Sequence, residues 1–117
     1  MAIRGLAPVL AVTRATMKPM LAFFTDQLGF AADTLVGEGP QFAMLTRDGK
    51  TVMLTCVNAH TPAPGEWAVY FWVDAVDALH AEATARGAKP GPLVDKEYGC
   101  REFETTAPDG RIITFGQ

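Results

Sequence analysis

Residues 46–55 read TRDGKTVMLT and residues 104–117 read ETTAPDGRIITFGQ, and each sets an Asp-Gly pair and a basic residue ahead of an apolar, strand-forming run. Asp-Gly between alternating apolar residues is a strong local signal for a hairpin, because both residues tolerate the positive φ that a two-residue type I′ turn requires. Asp48-Gly49 suits that loop, and 41–57 and 100–117 both read as hairpins. Working outward from the first turn, Arg47 pairs with Lys50, Met44 with Met53 and Phe42 with Thr55. Cross-strand partners share a face, so Phe42, Met44, Thr51, Met53 and Thr55 lie together, while Ala43, Leu45, Val52, Leu54 and Cys56 take the other side. The second set is uniformly apolar and belongs under a helix. The first is mixed and suits a half-open concavity.

The segments ahead of the two hairpins match as well. PVLAV (8–12) is a short apolar strand, and MKPMLAFFTDQLG (17–29) places Met17, Met20, Leu21, Phe24 and Leu28 at helical spacing before a glycine stop. FAADTLVG (30–37) adds a strand before the hairpin, and NAHTPAPGE (58–66) breaks the pattern as a linker. The order then repeats: WAVYFWVD (67–74) as a strand, AVDALHAEATARG (75–87) as an amphipathic helix, and KPGPLV (89–94) as a weak, proline-limited edge strand before the second hairpin. One constant shift carries Ala7 to Ala68, Val12 to Val73, Asp48-Gly49 to Asp109-Gly110 and Met53 to Thr114. Such self-similarity predicts an α+β fold of two tandem βαβββ modules, their strands forming a cupped mixed sheet with the helices on its outer face. The chain reads as a single domain over 1–117, with module one at 6–57, the linker at 58–66 and module two at 67–117.

Composition narrows the function classes. With 49% apolar and 20% charged residues the chain has the balance of a soluble globular protein. Its net charge of -3 and lack of a Lys/Arg cluster argue against a nucleic-acid partner. No stretch approaches the roughly 20 apolar residues of a membrane span, and MAIRGLAPVLAV (1–12) is a poor signal peptide, so no membrane partner and a cytoplasmic setting are expected. Cys56 and Cys100 are expected as free thiols, and His60 and His80 as surface residues without a second metal ligand at useful spacing.

MLAFFTDQLGF (20–30), YFWVDAVDALHAEATARGA (70–88) and YGCREFETTAPDGRIITFGQ (98–117), set on paired βαβββ modules, resemble the vicinal oxygen chelate superfamily over nearly the whole chain. That superfamily includes glyoxalase I, extradiol dioxygenases, fosfomycin-resistance enzymes and bleomycin-resistance proteins. In its metal-dependent members each module offers one ligand from its first strand and one from its last. The resemblance places those four positions at Ala7, Met53, Ala68 and Thr114, none of which is a ligand of any strength for a divalent ion. It therefore implies the metal-free bleomycin-resistance branch, whose dimers sequester a drug in grooves between subunits without chemistry. No cofactor is expected, and the partners implied are a small-molecule ligand and a second copy of the chain.

On this reading Tyr70 and Trp72 alternate with Ala68 on the cup side of their strand, with Trp67 on the opposite face. Aromatic walls suit a flat ligand. Phe103 faces the helix, which turns Glu102 and Glu104 to the cup, where two carboxylates favour a cationic ligand. Candidate ligand-binding residues are thus Phe42, Met44, Met53, Tyr70, Trp72, Glu102, Glu104 and Thr114. Two alternatives stay open. The aromatic and Met residues serve equally to pack a dimer interface, and the glutamates to solvate a strand edge. An enzyme of the superfamily would need a non-standard metal set or acid/base chemistry from Glu102 or Glu104.

Overall fold

The computed structural model describes all residues, 1–117. Its elements are β1 (Val9–Val12), α1 (Arg14–Ala22), β2 (Ala31–Val36), β3 (Phe42–Arg47), β4 (Lys50–Cys56), β5 (Trp67–Trp72), α2 (Val76–Ala85), β6 (Val94–Asp95), β7 (Arg101–Thr106) and β8 (Ile112–Gly116). They form two four-stranded sheets with the same layout, β1-β4-β3-β2 and β5-β8-β7-β6. In each, the first strand runs parallel to the last and the remaining pairs are antiparallel. The tandem βαβββ architecture is therefore as the repeat implies, carried on two separate sheets. No helix is long and apolar enough to cross a membrane.

The first hairpin has the expected register, with Arg47 opposite Lys50, Met44 opposite Met53 and Phe42 opposite Thr55. Asp48 (φ 50°) and Gly49 (φ 73°) both take the left-handed conformation of the type I′ loop. The second hairpin differs. Pro108 has no N–H with which to close a two-residue loop, so closure moves outward: Ala107 N–H donates to the Arg111 carbonyl (2.8 Å) and only Gly110 (φ 91°) is left-handed.

The first helix also departs from its expected span. It starts at Arg14, where the Thr13 N–H donates to Thr16 Oγ1 (2.9 Å), and it passes Pro19 into a π-helical turn over Phe23–Gln27. That wider turn lets the adjacent rings of Phe23 and Phe24 both be buried, meeting edge to face at 5.4 Å. Helix α2 has an alanine, Ala75, at its N-cap, and the Gln117 side chain supplies the missing acceptor to Val76 N–H (3.0 Å).

One core of 17 buried residues draws on both modules: Met17, Met20, Phe24, Ala43, Leu45, Val52 and Leu54 join Val76, Phe103, Ile113 and Phe115. Burying each large side chain stabilises the fold by about 1.5–3 kcal/mol. No backbone hydrogen bond crosses between residues 1–57 and 67–117, so side chains make the seam. Phe30 packs on Phe71 (5.6 Å between centroids), and Arg47 forks onto Glu82 (2.8 and 3.0 Å) while also donating to the Leu28 carbonyl. Arg111, 4% exposed, donates to the Ala11 carbonyl (2.6 Å) and to the Asp109 carboxylate.

Two histidines sit deeper than expected. His80 faces the core side of α2, stacks edge-on against Phe103 (5.0 Å) and donates from Nε2 to the Gly91 carbonyl (2.9 Å). His60 is half-buried, with its Nε2 shielded from water. Both cysteines are free thiols, as expected.

Candidate functional site

Alternation along the strands leaves each sheet with one face in the core and one open face. On the second sheet, register sets the open face in rows: Tyr70, Thr114 and Glu104 in one, Trp72, Gly116 and Glu102 in the next. The expected alternation fails at one place. Strand β5 is bulged between Trp67 and Val69, so an extra residue shifts the pleat and brings Trp67 to the side of Tyr70 rather than away from it. Ala68, assigned to the cup from sequence, packs against the core instead.

The result is an aromatic row of Trp67, Tyr70 and Trp72, with centroids 6.3 and 4.8 Å apart. Trp67 is 55% and Trp72 72% exposed, an unusual amount of indole left to water. The Trp67 indole N–H donates to Glu104 Oε2 (3.2 Å), which ties the row to the carboxylate two strands away.

Glu102 shares the open face but is only 1% exposed. Tyr70 covers it, donating its hydroxyl to Glu102 Oε2 at 2.9 Å. The phenol lies across β8 over Gly116, where even a Cβ would collide with its hydroxyl. Burial and the hydrogen bond to Glu102 both raise the Tyr70 hydroxyl well above its ordinary pKa. Tyr98 is pushed up to about 12, first by the same carboxylate, at a geometry looser than a formed hydrogen bond, and then by desolvation. Lys96 Nζ stands 3.9 Å from Glu102 Oε1, and that oxygen has no hydrogen-bond partner. Thr114 is fully buried and its hydroxyl is likewise unpartnered.

Of the residues singled out from sequence, Tyr70, Trp72, Glu102, Glu104 and Thr114 come together on this face. Phe42, Met44 and Met53 do not join them. They lie half-buried on the open face of the first sheet, among none of the linings of the three main cavities. Trp72 alone also lines a cavity of about 570 Å³ at the seam, beside Phe71, Leu79, Arg47 and Glu82. Sequence reasoning missed Trp67 and Gly116. A bulge leaves no signature in the pattern WAVYFW, and a glycine at a strand end reads as neutral until its neighbour's ring is placed.

The four positions the resemblance equates with metal ligands do not fit a divalent ion. Ala7 and Ala68 have no donor atom, Met53 offers a soft thioether, and Thr114 a buried hydroxyl. Met53 faces Val9 across the strands and Thr114 faces Tyr70, which adds no further ligand to the set. Nowhere do three His, Cys, Asp or Glu side chains converge as a ligand group.

A family model described as the glyoxalase/bleomycin resistance protein/dioxygenase superfamily matches residues 7–115, and the chain belongs to that superfamily. Among solved structures it is similar to a glyoxalase-related enzyme from Clostridium phytofermentans, with a TM-score of 0.80 at 19% identity, covering 99% of this chain and 95% of that one. It is also similar to the bleomycin-binding protein from bleomycin-producing Streptomyces verticillus, solved with copper(II)-bleomycin (TM-score 0.76, 24% identity, 98% and 96% covered). A third likeness is to an antibiotic-binding protein from a Streptomyces species (TM-score 0.74, 21% identity, 100% and 98% covered). At these identities the likeness speaks for the fold. No curated protein matches the chain.

Proposed function

We propose that the protein is a metal-free small-molecule-binding protein of the bleomycin-resistance type, which sequesters an aromatic or cationic ligand against the open face of its second sheet. The observation that carries this is the row of Trp67, Tyr70 and Trp72, with both indoles exposed, beside the carboxylates of Glu102 and Glu104. Stacking surfaces of this kind hold flat ligands, and the carboxylates favour those bearing positive charge. Two of the similar structures are of proteins that bind bleomycin and an antibiotic. A role in antibiotic resistance, in the cytoplasm, is the natural use of such binding.

The chain works on this reading as one domain and as a homodimer. Exposed Val9, Leu35, Val36, Trp67 and Trp72 leave apolar surface on both sheets, which a second copy would cover while walling the ligand cleft. Phe42, Met44 and Met53 then face the cleft or the partner. A second reading has one observation in its favour: Tyr70, hydrogen-bonded to the enclosed Glu102, makes with it the parts of an acid/base pair, which would make the protein a metal-free enzyme of the superfamily.

The test is a titration with bleomycin, followed by indole fluorescence. Trp67 and Trp72 both lie on the face, so quenching should involve both. Trp72→Ala should weaken binding by on the order of 1–3 kcal/mol, the loss of an aromatic anchor. A folded Trp72→Ala variant that binds as tightly as the parent removes this face from the site. Light scattering should give twice the 12.6 kDa chain mass, and a stable monomer at micromolar concentration would remove the intersubunit cleft.

A further inference from the structure

We infer that the free oxygen of the Glu102 carboxylate is the receiving position for one protonated amine nitrogen of the ligand, with Tyr70 holding the other oxygen in place. The inference rests on the reading that the open face of the second sheet is the ligand site. It begins from a contradiction in the side-chain environment: Glu102 is enclosed to 1% exposure, yet Oε1 accepts no hydrogen bond. Buried carboxylate oxygens are almost always paired, because withdrawing them from water without a donor is costly.

The neighbours do not fill that position. Tyr70 is committed to Oε2 at 2.9 Å. Lys96 Nζ, at 3.9 Å, is in charge contact but beyond hydrogen-bond reach, and its side chain is 40% exposed. Tyr98 is 58% exposed and makes no formed bond to the carboxylate. Oε1 is therefore an acceptor with its donors standing back from it.

What surrounds the carboxylate specifies the donor. Gly116 lies between Trp72 and Glu102 in the strand register, and its bare backbone admits the Tyr70 phenol. Tyr70 and Trp72, 4.8 Å apart, form aromatic walls on the approach to the acid. A cation gains from both the carboxylate and the ring faces, whereas a neutral hydroxyl gains only a hydrogen bond and an anion is repelled by Glu102 and Glu104. A flat ring carrying an alkylammonium fits this combination: the ring stacks on the exposed indoles and the ammonium displaces Lys96 outward.

Two probes that differ in one group decide the matter: naphthylmethylamine, charged near neutral pH, and naphthylmethanol, its neutral counterpart. Calorimetry on the intact protein should show the amine favoured by on the order of tenfold or more, as a charge-assisted hydrogen bond predicts. Glu102→Gln should erase the preference by weakening amine binding far more than alcohol binding. Tyr70→Phe and Lys96→Met, which keep the carboxylate, provide the check if Glu102→Gln fails to fold. The first should reduce the preference without removing it, since the carboxylate remains but is held less firmly, and the second should tighten amine binding by removing a competitor. Loss of the preference in folded Tyr70→Phe would give recognition to the phenol and overturn the assignment. Equal binding of the two probes by the parent, both weakened by Trp72→Ala, would overturn it and leave the aromatic face as the ligand site. Binding of neither probe, or binding indifferent to Trp72→Ala, would overturn both.

Discussion

Replacing Arg111 with methionine should destabilise the protein far more than the loss of a surface charge. The Arg111 and Asp109 side chains are 4% and 6% exposed, the guanidinium meets the Asp109 carboxylate at 2.6 and 2.9 Å, and it reaches across the seam to the Ala11 carbonyl at 2.6 Å. Arg111→Met removes all these side-chain donors and leaves a buried carboxylate without its countercharge, a change that costs about 3–5 kcal/mol. Taking a urea dependence of about 1.5 kcal/mol per molar, within the usual range for small proteins, the unfolding midpoint should fall by roughly 2–3 M. Adding Asp109→Asn to the same chain should recover much of the loss, since the amide needs no countercharge and can still accept the Arg111-position N–H now bonded to Asp109 Oδ1. Urea unfolding of the two single variants and the double one, as a closed cycle, gives the coupling directly. A shift of less than about 0.5 M in Arg111→Met would mean that water reaches Asp109 and that the tie at the seam is weak.

Other outcomes follow from the same geometry. Because the Tyr70 hydroxyl titrates above its ordinary value of 10.0 when folded, its contribution to stability is complete below that pH and is lost as pH rises beyond it; alkaline unfolding curves should show this, and Tyr70→Phe should flatten them. Glu82 is displaced the other way, held below the ordinary carboxylate value by hydrogen bonds from Arg47. Its stabilisation is present above that value and fades as pH falls through the lowered one, an effect of about 0.2–1 kcal/mol given its partial exposure, and one that Glu82→Gln should abolish in acid melts. Elemental analysis of purified protein should find no stoichiometric divalent metal, and about one zinc, nickel, manganese or iron per chain with loss of binding on chelation would reverse that expectation. Gln117→Ala should lower stability by about 1 kcal/mol through the uncapped start of α2, measurable by thermal melts.

Much of the fold could be read from residue order because its strongest signals are local. Asp48-Gly49 sets its own turn geometry, and period two then assigns every residue of β3 and β4 to a face. The same logic finds the second hairpin but not its loop geometry, since Pro108 removes an N–H and moves the closing pair to Ala107 and Arg111. On β5 the logic broke at the bulge, since a single unpaired residue reverses the face of Trp67 without altering composition or spacing. Glu102 and Glu104 were correctly turned to the open face, but their different fates were illegible. Glu102 is buried by a ring from another strand lying over a glycine of a third, a contact that no one-dimensional pattern contains. The separation of Phe42, Met44 and Met53 from the aromatic row is likewise a matter of two sheets, where the repeat alone allowed one cup.

Gly116 carries an evolutionary consequence. Its missing side chain is what lets Tyr70 lie across β8, so the two positions cannot vary independently. A Tyr70→Ala change would open space above Gly116 and then permit alanine or serine there, whereas the reverse order would first pass through a clash. Once a side chain has been accepted at position 116, a tyrosine restored at position 70 can no longer lie across β8 unless glycine is restored as well. Among descendants of this chain, the residue at 116 should therefore forecast whether an aromatic ring at 70 lies down over the carboxylate at 102 or stands up into the open face.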